Sequence, residues 1–160
     1  MTLEQLYQAV DKAEVEHNYD ECVKLLSEII AKQPRNTDAF NSRGLAYADL
    51  KQFEKAIQDY NQAIELNPKD ARAFNNRGVV YADLKQFEKA IQNYNQTIEL
   101  NPKYASAFHN RGIAHRKLGK EEKAIEDFKT AQALDPSIIA NEYCYFCCYS
   151  PIYQCQGIAY

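Results

Sequence analysis

The chain has few features that would tie it to a cofactor, a membrane or an oxidising compartment. No stretch of its 160 residues approaches the run of about 18 uncharged apolar residues that a membrane-crossing helix needs. Met1 to Ala31 carries neither a basic leader nor an apolar core, because Glu4, Asp11, Glu14 and Glu16 interrupt it. A soluble, cytoplasmic protein is therefore the expectation. The formal charge of −3 lacks the basic excess of a general nucleic-acid binder. Cys22 is the only cysteine before residue 144, and a total of 5 does not suggest a disulfide framework. Phosphate-loop, dinucleotide, nucleophile-elbow and His-Glu-x-x-His motifs are all missing. His109 and His115 lie about 120° from a shared helical face, so neither metal nor cofactor is expected. An enzymatic reading has no positive support.

What the chain has is repetition. Pro34, Pro68, Pro102 and Pro136 stand 34 residues apart, as do Arg43, Arg77 and Arg111, and Gly44, Gly78 and Gly112. Between residues 37–70 and 71–104, 26 of 34 positions are identical. A period of this length means stacked supersecondary units. Phe53, Ala56, Ile57, Tyr60 and Ile64 recur at helical spacing and mark one buried face. Phe40, Tyr47 and Leu50 mark a preceding helix, a turn near Lys51–Gln52 separates the two, and Asn67–Pro68 ends the pair. Each helix should run about 14 residues, or roughly 21 Å.

Glycine inside a helix costs about 1 kcal/mol against alanine, so Gly44, Gly78 and Gly112 need a steric reason. Ala56, Ala90 and Ala124, 12 residues later, are the expected partners, small residue facing small residue. The recurring arginines need acceptors on the partner helix: Asp59 and Asp127, with Asn93 a weaker one. Glu121 and Glu122 read as complements to a helix dipole.

Phe40-x-x-Arg43-Gly44-x-x-Tyr47, followed by Ala56-x-x-x-Tyr60 and Pro68, resembles the tetratricopeptide repeat. Phe74, Arg77, Gly78, Tyr81, Ala90, Tyr94 and Pro102 repeat the pattern, as do Phe108, Arg111, Gly112, His115, Ala124, Phe128 and Pro136. A first unit is degenerate, with Leu6, Val10, Ala13, Cys22, Leu26, Ile29 and Pro34. Arginine stands where the family usually has leucine, and phenylalanine where it has tryptophan. The resemblance implies an all-α, right-handed solenoid of about four repeats over residues 1–136 (units 3–36, 37–70, 71–104 and 105–138).

It also implies a concave groove lined by the first helix of each unit. Glu4, Tyr7, Gln8, Asp11 and Glu14 would line it in unit one, and Asp38, Asn41, Ser42, Leu45 and Asp49 in unit two. Arg72, Asn75, Asn76, Val79 and Asp83 follow in unit three. Unit four contributes Ser106, His109, Asn110, Ile113, Arg116 and Lys117. The expected function is a protein-interaction module or adaptor holding a protein or peptide; the alternative is a self-assembly scaffold, with a homo-oligomer as its product. Asn76 and Asn110 could each bond a peptide N–H and C=O, with Ser42 interrupting the ladder. Acidic residues outnumber basic ones 7 to 4 in residues 1–36 and 6 to 4 in 37–70, whereas 71–104 holds 5 basic and 3 acidic. A ligand with its basic part on units one and two and its acidic part on units three and four follows. Family members that clamp a C-terminal carboxylate use lysine, asparagine and arginine where this chain has Tyr7, Asp11, Ser42 and Asn76, so that mode is not expected.

After Pro136 the repeat stops. Residues 137–160 hold one charge, Glu142, and a run from Tyr143 to Tyr149 rich in cysteine and tyrosine. A cap, a self-association element, unselected sequence, a zinc site on Cys144, Cys147, Cys148 and Cys155, and lipidated cysteines are the open readings.

Overall fold

In the computed structural model, residues 1–139 are described; the cysteine-rich run and the readings attached to it lie outside them. Eight helices follow one another: α1 Leu3–Val15, α2 Tyr19–Lys32, α3 Thr37–Asp49, α4 Phe53–Leu66, α5 Ala71–Asp83, α6 Phe87–Leu100, α7 Ala105–Lys117 and α8 Glu121–Leu134. A short 3-10 turn, Pro136–Ile139, packs on α7 and α8. The helices are 13 or 14 residues long, as the periodicity requires. Asn18, Asn36 and Asp70 cap helices by accepting backbone N–H bonds, and Thr2 with Gln5 forms a capping box. Lys51 and Lys85, at φ 59°, hold the left-handed residue of the tight intra-unit turns.

Consecutive helices pack as hairpins, and α3 also touches α5 and α5 touches α7. No comparable contact joins α4 to α6 or α6 to α8 among the described residues. Odd helices drawn together while even helices splay apart put α3, α5 and α7 on the inner side of the curve. The chain is thus an all-α repeat solenoid.

The glycines serve a closer contact than expected. A Cβ on Gly44, Gly78 or Gly112 would lie 2.7, 2.6 or 2.7 Å from the ring of Tyr60, Tyr94 or Phe128 respectively. The partner is therefore an aromatic ring 16 residues on, not the alanine 12 residues on. Ala56 and Ala90 instead join Tyr60 and Tyr94 in the core, each completed by the next unit through Val80 and Ala114. Unit one packs differently, with Leu6, Val10, Leu25, Leu26 and Ile29 forming an aliphatic core.

The arginines bolt units together. Arg43 donates from Nε and Nη2 to Asp59 at 2.7 Å each, and from Nη1 to Ser27 of the preceding unit at 3.0 Å. Arg111 repeats this with Asp127 and, at 2.7 Å, Asn95. Arg77 has only amides: Asn93 at 2.8 Å and Asn61 at 2.6 Å. The consequence is electrostatic. Hydrogen bonding to Asp59 holds the Arg43 guanidinium more firmly protonated, whereas burial without a carboxylate pulls Arg77 the other way. In unit four His115 replaces the tyrosine of Tyr47 and Tyr81, and its Nδ1 lies 3.0 Å from Asp127. Burial outweighs the neighbouring carboxylate and lowers the His115 pKa.

Three outcomes follow. Gly78→Ala gains about 1 kcal/mol of helix propensity but overpacks Tyr94 at about 1–3 kcal/mol, so urea unfolding should show a net loss; a more stable variant would refute the interlock. Asn93→Asp gives Arg77 a charged acceptor and should stabilise by about 1 kcal/mol at neutral pH, a gain that fades as the new carboxylate protonates. Because the His115 pKa is depressed on folding, the fold loses stability as pH falls below the ordinary imidazole value of about 6.5. His115→Tyr should lose less between about pH 7.5 and 5.5 in the same assay; an unchanged pH dependence would show that His115 does not titrate on unfolding.

Candidate functional site

The inner helices present one face each at positions i, i+4, i+7 and i+11: Asp38, Ser42, Leu45 and Asp49 on α3, then Arg72, Asn76, Val79 and Asp83 on α5. Ser106, Asn110, Ile113 and Lys117 take these places on α7. Leu45 is 50% exposed and Val79 38%, high values for aliphatic side chains within a packed repeat. Asp49, Asp83 and Lys117 are exposed; Ser42, Asn76, Asn110, Ile113 and Arg116 are half-buried.

Between α3 and α5 these side chains surround an open hollow of about 330 Å³, lined by Asp38, Asn41, Ser42, Leu45, Arg72, Asn76 and Tyr104. Two further hollows, of about 380 and 200 Å³, share Arg111, His115 and Lys123. In those, Arg111 and His115 are already committed to Asp127.

The hollow's polar wall is internally wired. Asn76 Nδ2 donates to Asn41 Oδ1 at 3.2 Å across the unit boundary, and Asn75 Nδ2 donates to Asn76 Oδ1 at 3.4 Å. Asn76 keeps one N–H and one lone pair for a ligand. Asn41 and Asn75 are each only 7% exposed; Asn41 still reaches the lining of the hollow, whereas Asn75 is not among its lining residues. His109 is half-buried, its ring centroid 5.6 Å from that of Phe128.

Arg72 does not stand as an unpaired cation in the groove. Its guanidinium bonds Asp38 at 2.6 Å and Asp70 at 2.9 Å, binding units two and three. Burial would raise the Asp70 carboxyl, but the side-chain and backbone hydrogen bonds from Arg72 hold it below its ordinary value. The bond to Asp70 first, and that to Asp38 second, hold Arg72 firmly protonated. Two carboxylates on one guanidinium leave this corner with a net negative charge, so the cationic end of the groove shifts from unit three to unit four.

Sequence reasoning missed Tyr104. It occupies the N-cap place that Asn36 and Asp70 fill in units two and three, and makes no side-chain cap bond. Burial raises its hydroxyl pKa. The available signal was the break in capping pattern, an aromatic residue where Asn36 and Asp70 cap the preceding units.

No helix of the described residues is long and apolar enough to cross a membrane. A family model described as "TPR repeat" matches residues 44–85, and one described as "Tetratricopeptide repeat" matches 71–104 and 105–138. No curated protein matches the chain in sequence. Among solved structures, MamA from Desulfovibrio magneticus RS-1 is 23% identical with a TM-score of 0.75, over 84% of this chain and 76% of that one. YrrB, "a TPR protein with an unusual peptide-binding site", is 25% identical with a TM-score of 0.72, over 84% and 69%. The second TPR of Spaghetti (RPAP3), bound to the HSP90 peptide SRMEEVD, is 30% identical with a TM-score of 0.62, over 66% and 98%. Together the family models span residues 44–138, more than half of the 160-residue chain, and the protein belongs to the tetratricopeptide repeat family.

Proposed function

We propose that the protein is an interaction module that holds a peptide or an extended partner segment against α3, α5 and α7, and that it is not an enzyme. One observation carries the reading. Units two and three differ at eight positions: 37/71, 38/72, 42/76, 45/79, 46/80, 59/93, 63/97 and 70/104. Six of the seven residues lining the 330 Å³ hollow, all but Asn41, sit at those differing positions. Those six come from four of the eight differing positions, 38/72, 42/76, 45/79 and 70/104, so half of the variation borders one cavity, which is how a scaffold acquires a recognition surface.

The chemistry of the wall suits a backbone ligand. Asn76 offers a donor and an acceptor, and Asn110 brings the same amide one unit further on. Leu45 and Val79 beside them supply apolar contact. Peptide recognition by relatives is consistent with this use: YrrB has a peptide-binding site, and the RPAP3 repeat holds an HSP90 peptide. An acidic C-terminal tail of that kind is a poor fit here, since Arg72 is already shared by two carboxylates and Asn76 stands where such a clamp needs arginine.

The test is capture from native extract with the full chain, beside Leu45→Arg and Asn76→Ala/Asn110→Ala. Leu45→Arg fills the hollow from an exposed position and should leave the helical circular dichroism intact. Partners held by the unaltered protein and lost from both variants are the expected result. Partners retained by both variants would move the binding surface away from α3, α5 and α7.

A further inference from the structure

We infer that the occupant of this groove is an extended segment with apolar residues at every third position and lysine or arginine beside them, a partner chemistry that rests on the interaction reading above. The argument comes from the register of the inner helices. Leu45, Val79 and Ile113 form one row across three units, and Asp49, Asp83 and Lys117 form the next row, one helical turn along. A ligand crossing the helices therefore meets an apolar row flanked on one side by carboxylates in units two and three. On the other side it meets Ser42, Asn76 and Asn110.

Charge complementarity fixes the flank. Asp49 and Asp83 are both exposed, and neither has an ion-pair partner among the described residues. The Asp38–Arg72–Asp70 corner adds net negative charge on the same two units. In unit one Glu4, Asp11 and Glu14 are exposed as well. A basic segment gains along this entire stretch, whereas an acidic one is repelled until it reaches Lys117.

Spacing fixes the period. Helices in contact, as α3 is with α5 and α5 with α7, lie about 8–10 Å apart. A polyproline II chain advances about 3.1 Å per residue with three residues per turn, so its equivalent side chains recur every 9–10 Å or so. A β-strand of alternating pattern repeats at about 6–7 Å and falls out of step with the rows within one unit. Every third residue of the extended ligand can thus sit on Leu45, Val79 and Ile113 in turn, with its neighbours directed at Asp49 and Asp83.

The probe is a capped nine-residue peptide of three Leu-Lys-Pro triplets, titrated against the full chain by fluorescence anisotropy. Comparison peptides carry Glu for Lys, or the same composition with leucines at alternate positions. The lysine peptide should bind about tenfold tighter than the glutamate peptide, the size expected when two exposed attractions become repulsions. Asp49→Lys/Asp83→Lys should erase or reverse that preference, and the alternate-leucine peptide should bind several-fold more weakly. Failure of the lysine peptide to bind at concentrations up to about 1 mM, equal affinity for lysine and glutamate peptides, or a preference unmoved by the Asp49/Asp83 reversal would each overturn the inference. Leu45→Arg separates the two levels. Lysine-peptide binding that survives Leu45→Arg removes the groove itself, whereas binding lost on Leu45→Arg but blind to ligand charge removes only the basic-segment chemistry.

Discussion

The architecture depends on an aromatic ring packed into the place where a Cβ would stand on the facing helix. Tyr60, Tyr94 and Phe128 sit where a Cβ on Gly44, Gly78 or Gly112 would lie 2.6–2.7 Å from them, so each hairpin closes to a distance that no other residue permits. Tyr60 and Tyr94 are 0% and 1% exposed, which makes each ring a filled core element as well as a spacer. Tyr60 accepts a cost for this position, since its hydroxyl is buried without a hydrogen-bond partner among the described residues. An unsatisfied buried hydroxyl costs roughly 1–3 kcal/mol, so the ring's packing must outweigh it. Because Val80 and Ala114 of the following units cover these rings, the contact that closes one hairpin also seats the next.

The arginine ladder adds a second, polar set of ties between units. Each guanidinium reaches 16 residues back and 16 residues forward, tying the second helix of one unit to the second helix of the next through the first helix between them. Packing sets the distance between helices; the ladder sets their register. The inner face inherits both. Rows of side chains such as 45, 79 and 113 line up because every unit is held in the same register, and a ligand can read rows only where they are aligned. The rung at Arg77 lacks a carboxylate, and it joins units two and three, the same two whose first helices form the hollow.

Most of the fold was legible in the chain. The 34-residue period gave the units, the recurring prolines marked where each helix pair ends, and Asp59, Asp127 and Asn93 are the acceptors that Arg43, Arg111 and Arg77 use. The misreading of the glycines has a simple cause. Periodicity reports that a small residue faces a partner helix but not which side chain leans across, and a tyrosine ring reaches one turn further than an alanine methyl. The site was legible as a face and not as a set of bonds. The resemblance to the repeat family implied that Asp38, Ser42, Arg72 and Asn76 share a face, but burial of Asn41 and Asn75 and the clasp of Arg72 between Asp38 and Asp70 depend on rotamers and on the offset between units. Sequence spacing carries neither.

The clustering of differences around the hollow has a competing explanation, that two recently duplicated units drifted apart. Drift predicts where changes should fall: on exposed residues, wherever they are. The outer helices offer that control. Glu54, Lys55, Gln58, Asn61, Gln62 and Glu65 are all exposed on α4, and their counterparts Glu88, Lys89, Gln92, Asn95, Gln96 and Glu99 are exposed on α6. All six pairs are identical. Asn61 and Asn95 are held by the ladder through Arg77 and Arg111, whereas among the described residues the other five contact at most neighbours within their own unit. Unbiased drift would spread changes over these outer positions as readily as over Asp38, Ser42, Leu45 and Asp70. Instead the outer surface stayed the same while the lining of one inner cavity changed charge, size and hydrogen-bonding capacity. The two units keep a common outer surface and differ in the side chains that border the hollow.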